Sequence, residues 1–475
     1  MKSLMGSKGV LALLLVIITA GSFIVFPVQH IASAAPLAPG DWPTYLVGPG
    51  RSGFNKDETI INPTTVSNLK VHWTRTVSTA ISVEPVEVQS SGMVYWGSWD
   101  GVEHASHIAD GTDVWTASLG TLTASTCNLK QPHGVTDTAA VNSVLIGGVN
   151  TLVVFVGGGN NTFYALNALT GKVLWHTLLG SQPGDFIWSS AVVYKNSVYV
   201  GEGSLGDCPL TRGKVVQLNA STGTIQHTFY TVPKGCIGAT VWSSPTIDVQ
   251  SNVLYVSTGN EGTCSTSEPL ADALLALSTT DLSLVGAWQV PSSQQITDGD
   301  FGTAPTLFQA TIAGVPHQML GLINKNGMYY AFDRTNITAG PLWQTQLAAP
   351  PLGGGIGNNI SSSEWDGTTL YAAAGITTIN GTSCSGSVRA LNPASGAFLW
   401  QDCLSHDAIA PVIGCPGLVT VDAGQTLLIL NASTGSQLFS FTDTHTKATF
   451  AGPASISHGM LYQGNMDGIL YAFGT

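Results

Sequence analysis

One twelve-residue stretch constrains this chain more than any other: Tyr164-Ala165-Leu166-Asn167-Ala168-Leu169-Thr170-Gly171-Lys172-Val173-Leu174-Trp175. It reads as a strand, a tight turn built on polar residues and Gly171, and a return strand ending on an aromatic. Variants recur. Ala390-Leu391-Asn392-Pro393-Ala394-Ser395-Gly396 leads to Trp400, and Leu430-Asn431-Ala432-Ser433-Thr434-Gly435 leads to Phe439. Leu218-Asn219-Ala220-Ser221-Thr222-Gly223 leads to His227, with Phe229 just beyond. Looser copies run from Ala105 to Trp115, Leu275 to Trp288 and Tyr330 to Trp343. A lone hairpin cannot bury its own apolar face, so seven of them predict a stacked or radial array.

The two chain ends say which. Leu69-Lys70-Val71-His72-Trp73 looks like the outer strand of a repeat whose first part is missing, and Gly468-Ile469-Leu470-Tyr471-Ala472-Phe473 looks like that missing part. An N-terminal strand that completes the last repeat closes a circle and hides the sheet edges. Residues 69–475 are therefore predicted to form an all-β, eight-bladed β-propeller of four-stranded blades. The hairpin ends at 73, 115, 175, 227, 288, 343, 400 and 439 leave no interval for a second domain. Between hairpins, short strands follow small residues (Ser189 to Val193, Ser243 to Ile247, Thr303 to Leu307, Gly452 to Ile456). They alternate with β-branched and aromatic runs such as Leu152 to Val156 and Val253 to Val256. The polar segment 36–68 reads as an irregular lead-in lying over the surface.

Residues 1–35 are set apart. Lys2 and Lys8 precede an apolar run from Val10 to Phe26, and Ala32-Ser33-Ala34 supplies small residues for cleavage, so a secretory signal is expected. The run is also just long enough for a retained anchor, which leaves surface attachment open. The expected location is secreted or otherwise extracytoplasmic, with no membrane span in the mature chain. Seven cysteines in such a protein favour disulfides. At least two are expected to join loops of neighbouring blades, drawn from Cys208, Cys236 and Cys264 and from Cys384, Cys403 and Cys415. Charged residues are only 9% of the chain and the formal net charge is −12, which argues against a nucleic-acid partner.

With Ala-Leu-Asn-x-x-Thr-Gly-x-x-x-Trp repeats on eight blades, residues 41 to 475 resemble the quinoprotein alcohol dehydrogenases and their relatives. Those relatives include polyvinyl-alcohol-dehydrogenase-like proteins and the non-catalytic propeller of outer-membrane assembly. The resemblance implies pyrroloquinoline quinone (PQQ) and calcium as cofactors, and a small-molecule or polymeric alcohol as substrate. It implies a separate electron acceptor as well, since no Cys-x-x-Cys-His motif for attached haem is present. Gly238-Ala239-Thr240-Val241-Trp242 is similar to the segment whose tryptophan floors the quinone, a flat π surface under a planar ring. Tyr255-Val256-Ser257-Thr258-Gly259-Asn260 resembles the strand end whose asparagine ligates calcium. Asp298-Gly299-Asp300-Phe301 looks like the loop of the catalytic aspartate, which makes Asp300 the expected general base and a metal neighbour. Lys325-Asn326-Gly327-Met328-Tyr329-Tyr330 matches the segment whose lysine donates to the quinone oxygens. Ser189 joins Trp242 and Lys325 as a cofactor-binding candidate, and Asp207 stands nearest to the calcium-binding glutamate expected before Arg212-Gly213.

Each of these has a plainer reading. Trp242 can be inter-blade packing, Asn260 and Asp300 can be turn residues, and Lys325 can flank an Asn-Gly hairpin. This chain also departs from the family. The tryptophan before the catalytic aspartate is Gly299, the vicinal Cys-Cys is absent with only Cys127 near, and Ser82 replaces a glutamate, although Glu84 is close. The Asn-Trp pair of a later blade has no clear counterpart in Gly353 to Asn359. Position 302 is glycine where lanthanide-dependent relatives carry an aspartate, which favours calcium. A scaffold or binding propeller without catalysis is the competing expectation. Convergence of Asp207, Asn260, Asp300 and Lys325 on one channel mouth would favour the enzyme.

Overall fold

The computed structural model describes residues 37–123, 131–264, 267–350, 359–444 and 449–475. The expected signal at 1–35, Cys127 and the glycine run at 353–355 lie outside them. Among the described residues the chain is all-β, with helix confined to three single 3-10 turns, and its strands form eight four-stranded antiparallel blades. No described helix is long and apolar enough to cross a membrane. Seven blades occupy 86–118, 140–178, 192–230, 246–289, 306–346, 364–404 and 413–442. The eighth combines Ser455–Ser457, Met460–Gly464 and Ile469–Gly474 with Lys70–Thr76, which pairs antiparallel with Ile469–Gly474. The closure expected from the split repeat is present.

The hairpin repeat does more than turn the chain. Asn167 accepts the Leu169 amide at its side-chain oxygen, and Gly171 takes the left-handed backbone that ends the turn. That glycine also leaves space. A side chain there would come within 2.6 Å of the Trp115 ring of the blade before. Trp115 Nε1 in turn donates to the Ala168 carbonyl at 2.8 Å. Trp175 repeats the contact one blade on, with Gly223 and the Ala220 carbonyl, and Trp400 repeats it with Gly435 and the Ala432 carbonyl. Trp115, Trp175 and Trp400 thus each bury a ring face on the next blade's turn and satisfy their one polar atom there. The motif is a blade-to-blade clasp.

The inner strands begin about three residues later than the sequence suggests: Val192–Tyr194, Thr246–Asp248, Thr306–Ile312 and Ser455–Ser457. The small residues read as strand instead precede it, where their hydroxyls tie neighbouring blades. The Glu84 amide donates to Thr138 Oγ1, that of Thr138 to Ser190 Oγ, and that of Ser190 to Ser244 Oγ, at 2.8–3.0 Å. Crowding at the axis leaves these amides no strand partner, and a short hydroxyl replaces one.

The lead-in does not lie over the surface. Trp42, Leu46, Arg51 and Ile61 are wholly buried, and the segment touches every blade. Trp42 exchanges backbone hydrogen bonds with Glu87, and the Pro43 carbonyl accepts from Val141. The carbonyls of Pro49, Gly50, Ser52 and Gly53 accept from Ile247, Leu307, Trp365 and Gly414. Asn55 Nδ2 donates to the Ile456 carbonyl at 2.8 Å. The Arg51 guanidinium reaches the carbonyls of Ser190, Ala191 and Pro245 between 2.9 and 3.2 Å. Polarity that reads as solvent exposure instead serves the unpaired peptide groups of the inner strands.

Cys236–Cys264 joins the loop after the third blade to a loop of the fourth, as expected. Cys384–Cys403 does not join neighbours. It staples an extra hairpin, Thr377–Ile379 with Thr382–Cys384, to the outer strand of its own sixth blade. Cys208 is disulfide-bonded but not within its expected group, since Cys236 and Cys264 pair with each other, and Cys415 is a buried free thiol.

Candidate functional site

Trp242 lies on the segment that leads into the fourth inner strand. Three residues further in, the Pro245 carbonyl already meets Arg51 of the lead-in. The tryptophan therefore stands at the channel mouth beyond the residues the lead-in contacts, with its indole only partly buried. Its half-buried indole donates from Nε1 to Asp300 Oδ2 at 2.8 Å. Its ring edge rests on Gly302, where a Cβ would intrude to 2.1 Å. Position 302 is glycine because the indole is seated there. The Lys325 ammonium stands 5.4 Å from the centre of the Trp242 ring, close enough for a cation–π contact.

Lys325 Nζ lies 2.5 Å from Asp300 Oδ1 and 2.8 Å from Asp298 Oδ1, and Asn260 Nδ2 donates to that same Asp298 oxygen at 2.8 Å. Four of the residues picked from sequence, Trp242, Asn260, Asp300 and Lys325, thus meet in one cluster. Local backbone explains the placement. Asn324 Nδ2 donates to the Gly299 carbonyl at 2.6 Å, locking the aspartate loop to the Lys325 turn. Asn359 Nδ2 donates to the Lys325 carbonyl at 2.9 Å. Asn359 closes the stretch in which no counterpart of the Asn-Trp pair was legible; it is a supporting member of the site.

Burial pushes the Asp300 carboxyl up to about 6 even though Lys325 and Trp242 pull it down. Burial works against the Lys325 charge, but Asp300 and Asp298 outweigh it and hold the ammonium above the ordinary lysine value. A further carboxylate that the sequence reading missed, Asp272, is pushed up to about 7 by burial and then by Asp300 and Glu261. Nothing in Ala271-Asp272-Ala273 distinguishes it from an ordinary strand-edge aspartate.

Two candidates do not join. Ser189 is wholly buried and its Oγ accepts the Gly201 amide at 3.0 Å, a structural tie that Ser243 repeats with the Ser257 amide at 3.2 Å. Asp207 is exposed in a turn, where it accepts the Ser204 hydroxyl.

Around the same mouth, Trp188 occupies in the third blade the place that Trp242 has in the fourth, and donates to the Ser204 carbonyl at 3.1 Å. His133 packs between Trp99 and Trp188, with ring centres 4.2 and 5.8 Å away, and Phe186 lies 4.9 Å from Trp188. Trp99 and Trp188 are both half-exposed. These rings pack on one another as an aromatic group of the first to third blades.

The arrangement suits a planar anionic quinone: an aromatic plate, an ammonium over its face, and a buried carboxylate at its edge. For a divalent cation, Asn260, Asp298 and Asp300 offer hard oxygens, but Lys325 is already paired with the two aspartates. Among the described residues no three His, Cys, Asp or Glu side chains converge as a ready metal-binding group; Lys325 holds the centre of the cluster.

A family model described as "Outer membrane protein assembly factor BamB", the PQQ_2 repeat family, matches residues 66–297 and 325–474. The chain belongs to this PQQ-repeat propeller family. It is 26% identical over 333 residues to the quinohemoprotein alcohol dehydrogenase of Comamonas testosteroni, covering 62% of this chain and 45% of that protein. It is 28% identical over 250 residues to the polyvinylalcohol dehydrogenase of Sphingopyxis sp. (strain 113P3), covering 44% of this chain and 37% of the relative. The chain thus spans less than half the length of these curated relatives. A crystal structure of the Comamonas enzyme superposes with a TM-score of 0.71 at 19% identity, over 93% of this chain and 81% of the other. A europium-containing methanol dehydrogenase gives 0.74 at 15% identity, over 92% and 98%. At those identities the structures speak for the fold alone.

Proposed function

We propose that the protein is an exported quinoprotein dehydrogenase that oxidises an alcohol with PQQ and calcium and passes electrons to a separate acceptor. The meeting of Trp242, Asp300 and Lys325 at the open mouth carries this reading. PQQ, when bound beside calcium, supplies a two-electron acceptor polarised toward hydride. The chain's own residues do the rest. Trp242 orients the planar ring, and Gly302 keeps its seat clear. Lys325 places positive charge against the ring oxygens, favouring the reduced, more negative form. Asp300 accepts the hydroxyl proton of the alcohol as its C–H bond gives up hydride, and a carboxyl titrating near 6 is mostly ionised at neutral pH. The aromatic group of Trp99, His133 and Trp188 offers apolar faces to the carbon skeleton of the alcohol. The disulfides accord with an extracytoplasmic location.

A scaffold reading rests on a different observation: Lys325 already neutralises Asp300 without any cofactor, so the cluster can exist for stability alone. Purified protein incubated with PQQ and millimolar calcium separates the two in a dye-linked assay with short and polymeric alcohols. Turnover that Asp300→Asn lowers by about a hundred- to ten-thousand-fold, with PQQ still bound, supports the dehydrogenase. Absence of PQQ binding hands the protein to the scaffold reading.

A further inference from the structure

We infer that the seam between the fourth and fifth blades is a binding pocket for a small, neutral, planar aromatic molecule with one N–H or O–H donor, of the indole or phenol class. It is separate from the proposed quinone site, because the strand Met328–Asp333 lies between Arg334, which lines it, and the Lys325 turn.

The molecule's own seams define the guest. In five blades an alanine of the hairpin faces a tryptophan across the ladder: Ala472 with Trp73, Ala105 with Trp115, Ala165 with Trp175, Ala331 with Trp343 and Ala390 with Trp400. Each of these indoles donates from Nε1 to a carbonyl of the next blade's turn, at 2.8–2.9 Å. In the fourth blade the residue facing Ala276 is Gly286. Trp288, the aromatic of that hairpin, packs instead on Tyr330 and Phe332, with ring centres 4.9 and 5.0 Å away. This seam lacks its ring.

Space and an acceptor remain. A cavity of about 450 Å³ opens here, lined in part by Val253, Tyr255, Ala276, Val285 and Ile337, and its size is that of a small-molecule site. Its charged groups, Asp248 and Arg334, pair with each other at 3.0 Å, which favours a neutral guest. In two other seams the turn carbonyl has two side-chain donors: Ala168 accepts from Tyr95 and Trp115, and Ala432 from Tyr371 and Trp400. The Arg334 carbonyl holds the same place in the fifth blade and accepts from Tyr255 at 2.7 Å, with no indole among the described residues to supply the second bond. A carbonyl has two lone pairs, so one is left for a donor on the rim of the guest. The preceding seam shows another solution: His227 faces Gln217, and Gln217 joins Tyr199 on the Thr279 carbonyl.

The test titrates 5-fluoroindole into the purified full chain, followed by fluorine NMR. One saturable site is expected, with a Kd on the order of a millimolar or tighter. Two variants block the pocket. Gly286→Leu fills it tightly, since a Cβ there already stands 3.2 Å from Thr338 and 3.4 Å from Ile337, and Val285→Trp covers it from a side chain that is 61% exposed. Each should weaken binding about tenfold or more while the chain still melts cooperatively. The 1-methyl derivative of the probe keeps the ring and loses the donor, and should bind about fivefold more weakly. No saturable binding to the wild type, or wild-type affinity in both variants, overturns the pocket. Equal binding of the methylated probe overturns the role given to the Arg334 carbonyl.

Discussion

The plug and the Trp242–Lys325 cluster hold their buried cations in different ways. At the plugged end, Arg51 is wholly buried and its guanidinium is spread over the carbonyls of Tyr45, Pro245, Ser190 and Ala191 and the Thr44 hydroxyl. Burial lowers its pKa to about 10, yet it stays charged at any ordinary pH. At the open mouth, Lys325 faces more carboxylates than it can neutralise, Asp300 and Asp272 are pushed up by burial, and an oxygen of Asp272 has no partner. The plug spends its polar groups on holding blades together. Buried carboxylate oxygens without a partner occur at both places, on Glu84 and Glu87 beside the lead-in and on Asp272 near Lys325, so what sets the mouth apart is one lysine shared between Asp298 and Asp300.

The comparison breaks most completely at the plug. Deleting residues through Trp73 removes both the lead-in and the strand that pairs with Ile469–Gly474, and should expose a sheet edge. Aggregation or loss of cooperative melting is expected in light scattering and calorimetry. A monomer with unchanged melting would refute the closure. Arg51→Ala comes next: several buried carbonyls lose their donor at once, and chemical denaturation should register a loss of about 3–5 kcal/mol without any effect specific to the mouth.

A pH profile sharpens the contrast at the other end. Asp300 binds its proton more tightly folded than unfolded, so between its ordinary value and about 6 the native state holds the extra proton. Stability contributed by this group is fully present below its ordinary range and falls as pH rises toward 6. Asp300→Asn should flatten that part of the stability curve, as followed by melting temperature. Dye-linked activity should move the opposite way, rising with pH as Asp300 ionises. An activity limb unaffected by pH between about 5 and 7 would remove Asp300 as the base. The smallest effect belongs to Ser189→Ala. Losing the tie to the Gly201 amide should cost about 1 kcal/mol in denaturation and leave PQQ affinity unchanged.

What could be read from sequence follows the range of the signal. The hairpin repeat is local and carries its own logic, from Asn167 and Gly171 to Trp175, so blades and closure were legible. The clasp between blades was not, because nothing in one copy says that its tryptophan seats on the next copy's glycine. The lead-in misled because polar residues look alike whether they face water or unpaired peptide groups. The extra hairpin of the sixth blade hid the pairing of Cys384 with Cys403 inside one blade. At the site, Trp242, Asn260, Asp300 and Lys325 were legible through the motifs around them. Asp272 was not: its placement depends on a backbone return that sets it beside Gly259.

The central claim is that the open mouth, and not the plugged end, receives PQQ. Titrating PQQ into purified protein with millimolar calcium, while following tryptophan emission and quinone absorption, tests it most directly. The account predicts saturable quenching at one PQQ per chain, much reduced in Trp242→Ala and Lys325→Ala and retained in Ser189→Ala. Quenching that is absent, or that survives unchanged in both mouth variants, contradicts it.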